Sequence, residues 1–500
     1  MTALDRAISR PEPVHDFGAR SPLEGLDRRS VGFADVLAQS VAAVAPSAAA
    51  MTVILLVAGV AGSATVPAVA LAALIALIVA RTVSQFARRM VTSGSLYTYA
   101  ARGLGPAAGL ATGAAILVGY AFISVFALLG GAHYFSIVLE RVSPGAGGQT
   151  TTVALLVLEA AVLAVVLVRG IRFSTRIAFF VELASVAVIV VLMIVLLVQI
   201  GSFDPEALAP TDVSPSALAA GAVLALTAFV GFESAATLGV EARAPLRNIP
   251  RAIVWTVIVA GGLYVLAAYT QVAGFRALGL DLAASSTPVN TLAAANGLDA
   301  WGVLVDVGIA ASFLACAIAS TTALTRVLFA MGRDGVAPAW LGRAHVRYRT
   351  PIAAVAVAVP LVALTPVVFV AAGGGVWGAM ETVIVISAVG YIAAYAIVCV
   401  AAPVFLRRIG ELTVGAAVVA LASSIALVSG LVIYLVVEAS AGNPGVWIAL
   451  ALAVAAGAGI AWRMRHGAHS LDGIGSYDEP VASEVLGGVA RDRDAGLGDA

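Results

Sequence analysis

Long apolar runs, separated by short polar connections, make up most of the chain. About twelve of these runs reach the length that a helix needs to cross the hydrocarbon core of a membrane, which is roughly 20 residues. The pattern predicts membrane spans at residues 33–60, 65–87, 107–138, 151–168, 177–200, 216–239, 252–274, 301–331, 352–372, 379–402, 412–437 and 445–462. The expected fold class is therefore an all-α polytopic membrane protein with about twelve transmembrane helices.

The composition favours a membrane protein over a soluble one. Of the 500 residues, 61% are hydrophobic and 11% are charged, and the mean hydropathy is +1.03. A soluble domain carries roughly 25% charged residues, so this chain has too little polar surface for a protein that is surrounded by water. The formal net charge is zero, which gives no reason to expect a nucleic-acid partner. The lipid bilayer is the expected surrounding.

The arginines predict the orientation of the chain, since all 28 basic residues are Arg. If the N-terminus is cytoplasmic, the alternation of the spans places nearly all loop arginines on that side and leaves Arg141 and Arg276 opposite. This bias predicts a multi-pass plasma (inner) membrane protein with both termini in the cytoplasm. Arg326, near a cytoplasmic helix end, is expected to snorkel to the interface. The predicted domains are a cytoplasmic tail (1–30), a transmembrane domain (31–466) and a disordered cytoplasmic tail (467–500).

Two of the spans are interrupted, whereas most of the others read as smooth helices. The first contains "VAPSAAA" (44–50), in which Pro46 removes a backbone donor. The sixth contains "TAFVGFESAA" (227–236), in which Gly231 weakens the helix. The first and sixth spans occupy corresponding positions if 31–200 and 216–402 are two inverted repeats, followed by two extra helices in 412–462. Paired interruptions of this kind indicate a binding site near the middle of the membrane in a transporter.

The chemistry of a broken helix suggests a zwitterionic ligand. The N-terminus of a half-helix presents free N–H groups and partial positive charge, which suits a carboxylate. The freed carbonyl groups at the end of the other half suit an ammonium group. We expect the N–H groups near Ser47, Ala48 and Ala49 to bind a carboxylate. The carbonyl groups near Ala45, Ala228 and Phe229 are expected to bind an amino group.

Three stretches of the chain carry a resemblance to a known family: "GSLYTYAARGLGPAAG" (94–109), "FVGFESAATLGVEARAPLRNIPRAI" (229–253) and "TRVLFAMGRDGVAP" (325–338). With their order and spacing, the chain resembles the amino acid–polyamine–organocation superfamily of permeases over nearly its whole length. The resemblance implies a LeuT-like five-plus-five inverted repeat with two further helices. It also implies secondary active transport of amino acids or related amines. The chain departs from the family in having Pro46-Ser47 where members often carry a Gly-x-Gly-like stretch.

The resemblance also implies where the substrate binds. It places the substrate between the first, third, sixth, eighth and tenth spans, and it matches Tyr120 with an aromatic residue that lines the pocket. Gly231 and Phe232 belong to the same predicted substrate site at the second interruption. If this placement is right, Phe229, Phe232 and Tyr120 form walls or gates of the pocket. The alternative is that these three side chains only pack helices together.

Several carboxylates lie inside the spans, where an ionisable group is costly and often functional. Glu233 follows the second interruption and is the main candidate for coupling or gating; the alternative is a structural carboxyl that ties down the break. A carboxyl group kept from water favours its protonated form, which suits proton coupling. Glu159 and Asp306 are candidates for a relay or substrate role. Glu182 and Asp35, close to cytoplasmic ends, are expected to be interfacial or paired with loop arginines.

The coupling ion has more than one candidate. Ser320, Thr321 and Thr322 lie late in the eighth span, where hydroxyl groups could join first-helix carbonyls around a sodium ion; helix packing is the alternative. Some proton-coupled relatives use a Lys on the fifth helix, but this chain has no Lys. Proton-coupled uptake is our first hypothesis, and exchange or sodium symport is the alternative.

Other classes of protein are less consistent with the sequence. The chain contains no Walker loop, zincin motif or paired-cysteine motif, so we expect neither an enzyme nor a bound metal or cofactor. Cys316 and Cys399 are interpreted as buried small hydrophobic residues. A channel or a membrane nutrient sensor is the alternative from a different class. The favoured substrate is a small neutral amino acid, and the sequence leaves the oligomeric state open.

Overall fold

A computed structural model describes residues 21–23, 25–201, 203–285, 287–466 and 473–478. Its elements within these ranges are helices, and one isolated bridge joins Val31 to Ala242. The main helices are α1 (Phe33–Val44), α2 (Pro46–Ala61), α3 (Thr65–Ala87), α4 (Leu96–Leu104), α5 (Pro106–Val142), α6 (Gln149–Arg169), α7 (Ile171–Ile200), α8 (Pro215–Leu226), α9 (Pro245–Leu278), α10 (Pro288–Ala295), α11 (Asp299–Arg333), α12 (Ile352–Ala371), α13 (Val376–Arg408), α14 (Val414–Ser440) and α15 (Pro444–His466).

The number of spans agrees with the sequence. Eleven helical stretches of the described residues are long and apolar enough to cross a membrane. The first of them, Phe33–Ala87, has 55 residues, which at 1.5 Å per residue is more than twice the thickness of a hydrocarbon core of about 30 Å. It therefore contains the first two predicted spans. The all-α polytopic fold class is confirmed.

The core is built around α5. This helix packs extensively against α11 and α13, and α11 packs in turn against the first and sixth spans. Most of α13 is buried, whereas α14 and α15 leave most of their surface exposed. The two C-terminal helices therefore lie at the periphery of the core.

Both predicted interruptions are present. In the first span, Ala45 adopts a left-handed conformation (φ 48°, ψ 61°) between α1 and α2, and Pro46 begins α2. In the sixth span, α8 gives way to a 3-10 turn, Val230 is extended, and Gly231 has φ 101°. A 3-10 segment, Phe232–Leu238, then completes the span. Pro46 and Gly231 are thus the residues at which helical hydrogen bonding stops.

The two predicted tails are partly packed onto the protein. Leu23 and Leu26 are buried, and residues 473–478 lie against the same face. The carboxylate of Asp478 accepts hydrogen bonds from Arg28 (3.0 Å) and Arg29 (2.9 Å), and its backbone N–H donates to Val91 (2.7 Å). Residues 473–478 thus include a buried carboxylate that is held by two arginines. Residues 1–20, 24, 467–472 and 479–500 of the predicted tails lie outside the described residues.

Asp334, at the end of α11, holds the other end of this C-terminal segment. Its carboxylate accepts a hydrogen bond from the Gly475 N–H (2.8 Å) and another from the Tyr97 hydroxyl (2.7 Å). Burial, together with the Asp334 carboxylate, raises the pKa of Tyr97 above its ordinary value. Tyr97 therefore stays protonated and remains a hydrogen-bond donor.

Candidate substrate site

The two interruptions lie against each other. A Cβ added to Gly231 would come within 2.9 Å of the carbonyl oxygen of Ala43, so the backbones approach as closely as a glycine allows. Two hydrogen bonds join α1 to the 3-10 segment: the Ser40 hydroxyl donates to the Phe232 carbonyl, and the Ser234 hydroxyl donates to the Gln39 carbonyl (3.3 Å). The α1 half of the first span and the 3-10 half of the sixth span are therefore joined directly by hydrogen bonds.

A small cavity of about 20 Å³ lies between the interruptions. Its volume is enough for about one water molecule. Three residues of the predicted substrate site, Ala45, Ala49 and Ala228, line it. The lining also includes apolar side chains of the neighbouring spans, namely Ile123, Phe126, Phe313 and Ile384.

The N–H groups that the sequence assigned to a substrate carboxylate already have partners. The Ser47 N–H donates to Oε1 of Glu182 (3.0 Å), and the Ala48 N–H donates to the Ser312 hydroxyl (3.3 Å). The Ala49 N–H donates to the carbonyl oxygen of Ala45 (2.9 Å), as in an ordinary helical turn. A buried protein carboxylate thus occupies the N-terminus of α2.

The prediction for Glu182 was wrong: it is 1% exposed and does not lie at an interface. The predicted span began at residue 177, but α7 begins at Ile171, directly after Gly170 (φ 109°). Glu182 consequently lies about three turns inside the helix, at the depth of the interruption. Gly170 is the signal in the sequence that would have placed the helix start correctly.

The carbonyl groups at the interruptions are also partnered by side chains. The Tyr264 hydroxyl donates to the Ala228 carbonyl (2.8 Å) and lies 3.4 Å from that of Val44, so it bridges the ends of α8 and α1. The Cys316 thiol contacts the Ala43 carbonyl oxygen (3.2 Å). Tyr264 also packs edge-on against Phe229, with ring centroids 5.0 Å apart. The contacts of Tyr264 and Cys316 with these carbonyl groups could not be predicted from the sequence, because each residue lies in an apolar run without a motif.

Glu233 is fully buried, and both of its carboxylate oxygens are hydrogen-bonded. Tyr120 of α5 donates to Oε1 (2.7 Å), and Tyr395 of α13 donates to Oε2. The Phe232 ring stacks on Tyr395 with centroids 5.1 Å apart, and Tyr391 meets Tyr120 edge-on. Glu233 therefore ties the sixth span to the third and the tenth, and two phenols solvate its carboxylate in place of water.

Comparison with known proteins supports the same family as the motifs. A model of the amino acid permease family matches residues 35–462, which is most of the chain. The chain belongs to the amino acid permease family. Among curated relatives, it is 25% identical to the branched-chain amino acid permease BcaP of Bacillus subtilis, over 55% of this chain and 61% of that protein. It is 28% identical to the low-affinity putrescine importer PlaP of Escherichia coli, over 54% of this chain and 60% of that protein.

The chain thus spans about three fifths of the length of these curated relatives. Among solved structures, it resembles the transporter MhsT in complex with L-phenylalanine, with a TM-score of 0.52 and 15% identity. The match covers 85% of this chain and 99% of MhsT. This likeness confirms the LeuT-like fold and carries no information about the ligand.

Two of the family-like stretches meet in a buried ion pair. Arg326 of α11 donates to both carboxylate oxygens of Glu241, each at 2.8 Å, and both side chains are buried. The prediction that Arg326 snorkels to the interface was wrong, because Glu241 offers it a carboxylate partner inside the protein. The pair joins the eighth span to the segment that follows the sixth.

The other predicted coupling residues contact different groups. Glu159 of α6 is 3% exposed and packs against Gly131, and neither of its carboxylate oxygens has a hydrogen-bond partner among the described residues. Asp306 of α11 accepts a hydrogen bond from Asn290 (2.9 Å) and pairs with Arg141 (3.2 Å). The described contacts of these two carboxylates therefore do not include the interruptions.

The predicted sodium-site hydroxyls face different partners. The Thr321 hydroxyl donates to the Ser124 hydroxyl of α5 (3.1 Å), and Ser320 lies 3.8 Å from the sulfur of Cys316. Thr322 accepts a bond from Thr325 through its carbonyl group (2.8 Å). Cys316, one turn before Ser320, is the α11 side chain that contacts a first-span carbonyl.

A second, larger cavity lies next to the small one. This cavity, which we call the vestibule, has a volume of about 940 Å³ and includes residues of α2, α5, α8, α13 and α14. It adjoins the small cavity at Ile384, which lines both. Glu381 and Glu438 line the vestibule together with His133, and no Arg of the described residues belongs to its lining. His133 of α5 is thus a vestibule residue.

Proposed function

We propose that this protein is a secondary transporter that moves amino acids or related amines across the plasma membrane by alternating access. One observation carries the proposal: the interruptions of the first and sixth spans meet, and they border a cavity that adjoins a large vestibule. Family membership and the names of the relatives support it. In such a fold, irregular backbone at membrane depth is where transporters bind their solutes.

A solute entering from the vestibule would meet backbone groups, several of which are hydrogen-bonded to side chains. The predicted substrate groups are the N–H groups of Ser47, Ala48 and Ala49 and the carbonyl groups of Ala45, Ala228 and Phe229. Gly231 lets the two backbones approach, and Tyr120 and Phe232 lie beside Glu233. Binding would replace two hydrogen bonds, the one that the Ala48 N–H donates to Ser312 and the one that Tyr264 donates to the Ala228 carbonyl, with bonds to the solute.

We further propose that uptake is coupled to protons and that Glu233 is the coupling group. Its carboxylate is buried, and three spans meet at it. Protonation would weaken the hydrogen bonds from Tyr120 and Tyr395, since a neutral carboxyl is a poorer acceptor than a carboxylate. The arginine distribution favours an orientation with both termini in the cytoplasm.

Uptake into proteoliposomes tests the proposal. The purified protein would be reconstituted and given a panel of labelled amino acids and amines under an imposed proton or sodium gradient. We expect saturable uptake that is driven by the proton gradient and shows counterflow. Non-saturable flux without counterflow would instead indicate a channel, and a requirement for the sodium gradient would place the coupling elsewhere.

A further inference from the structure

We propose that the substrate is an organic cation without a carboxylate, such as a primary amine or a diamine. This inference rests on the proposed function of a carrier for amino acids or amines, and it narrows the class of substrate to amines. The structure assigns the anion position of the site to Glu182, a residue of the protein itself. The four observations below support this assignment.

The first observation is the occupant of the α2 N-terminus. Helix α2 has 16 residues, and its N-terminus is the electropositive end at the interruption. Oε1 of Glu182 accepts the Ser47 N–H at 3.0 Å, and Ser312 takes the Ala48 N–H at 3.3 Å. An amino acid that placed its carboxylate on these groups would have to displace Glu182 or lie against a like charge in a place shielded from water.

The second observation is an unused hydrogen-bonding atom at the same place. Oε2 of Glu182 accepts no well-aligned hydrogen bond from the described residues, and the hydroxyls of Ser47 and Ser312 lie beside this buried carboxylate. Buried polar atoms are nearly always partnered. An ammonium group carries three N–H donors and no acceptor, so it complements an unpartnered carboxylate oxygen and a hydroxyl.

The third observation is the balance of buried charge. Arg326 is neutralised by Glu241, and Arg141 pairs with Asp306. Within the described part of the chain, no ion pair is formed by the buried carboxyl groups of Glu159, Glu182 and Glu233. The interior therefore has an excess of acidic groups, which favours a cationic solute.

The fourth observation concerns the approach to the site. Within the part of the chain that the structure describes, Glu381 and Glu438 line the vestibule and no Arg does. A cleft lined with one sign of charge concentrates solutes of the opposite sign. A cation would therefore be attracted at the entrance by these two residues and held at the interruption by Glu182.

The test uses the full-length protein in proteoliposomes and measures counterflow of labelled putrescine and of labelled L-leucine. Unlabelled panels of amines and of α-amino acids serve as competitors. We expect saturable putrescine counterflow that amines inhibit, and no saturable leucine counterflow. Saturable leucine counterflow without amine transport would overturn this inference and leave the proposed carrier function standing. If no member of either panel shows saturable transport, the proposed function fails as well.

Two variants test the role of Glu182. Glu182→Gln keeps an oxygen acceptor for the Ser47 N–H but replaces the negative charge with an amide, so the KM for the amine should rise at least about tenfold with a smaller effect on kcat. Glu182→Ala should also free the α2 N-terminus and allow α-amino acids to compete. Glu411→Gln, an exposed partner of Arg89, is the control and should behave as wild type. A folded Glu182→Gln protein with an unchanged KM would overturn the assignment.

Discussion

Tyr120 donates a hydrogen bond to Glu233 across 2.7 Å, from the third span to the sixth. Tyr395 donates to the other oxygen, so the carboxylate has one phenol for each oxygen. In Glu233→Gln, the amide nitrogen would face one of these donors. We expect at least about tenfold slower uptake under a proton gradient, with exchange of substrate retained, because one donor loses its acceptor.

Parallel measurements of gradient-driven uptake and of counterflow check the Glu233 prediction. Glu411→Gln again serves as the control, since its carboxylate lies in an exposed ion pair. Wild-type dependence on the proton gradient in Glu233→Gln would show that the carboxylate has only a structural role. Loss of both activities in a folded protein would also argue against a specific role in coupling.

Gly231→Ala should disrupt the contact between the two interruptions. The residue has φ 101°, and an added Cβ would lie 2.9 Å from the Ala43 carbonyl oxygen. The left-handed conformation alone costs a non-glycine residue about 1–2 kcal/mol, and the close contact adds to it. We expect a lower thermal unfolding midpoint and loss of uptake. Gly262→Ala is the matched control, since nothing lies within 4 Å of its added Cβ; equal behaviour of the two variants would contradict this reading.

Ala45 offers the opposite test at the first interruption. It is a non-glycine residue with φ 48°, so Ala45→Gly should be tolerated, with a change in stability within about 1 kcal/mol. Ala45→Val places a β-branched side chain in the same conformation and should destabilise the protein by about 2 kcal/mol or more. Thermal unfolding in detergent distinguishes the two variants. A stable, active Ala45→Val protein would be incompatible with the left-handed geometry.

For the buried pair of Arg326 and Glu241, we expect that removing one partner lowers the free energy of unfolding more than removing both. Arg326→Met leaves a buried carboxylate without its cation, which should cost about 3–5 kcal/mol. The double variant Arg326→Met, Glu241→Leu removes both charges and should recover much of that loss. The unfolding free energies of both single variants and the double variant measure the coupling. Strictly additive effects would mean that the two residues do not interact.

The C-terminal segment predicts a local effect. Asp478→Asn removes the negative charge that Arg28 and Arg29 share, so residues 473–478 should detach more often. We expect several-fold faster cleavage of this segment in limited proteolysis, with the unfolding midpoint of the membrane domain unchanged. Asp281→Asn, in the exposed connection after α9, provides the control. An unchanged cleavage rate would mean that the ion pairs do not hold the segment.

The sequence predicted the interruptions because Pro46 and Gly231 act locally on the backbone. It did not predict their partners, since Glu182 and Tyr264 reach the interruptions from helices that are distant in the chain. Arg326 is a similar case: its partner Glu241 lies 85 residues away, and only the packing of α11 beside the sixth span brings them together. Periodicity and residue type thus predict where a helix stops, and tertiary packing determines which groups complete it.

The hydrogen bonds around the first interruption have a mechanical consequence. The Ala43 and Val44 carbonyls and the Ser47 and Ala48 N–H groups bond to side chains, so α1 can tilt relative to α2 without melting a helical turn. Hydrogen bonds from Ser40 and Ser234 join α1 to the 3-10 segment, so α1 and the 3-10 segment would move together as one rigid unit. This unit contains Glu233, and the phenol groups that donate to its carboxylate belong to Tyr120 and Tyr395 on other helices. Tilting of α1 with the 3-10 segment and release of the Glu233 carboxylate from its phenol donors would therefore be one event.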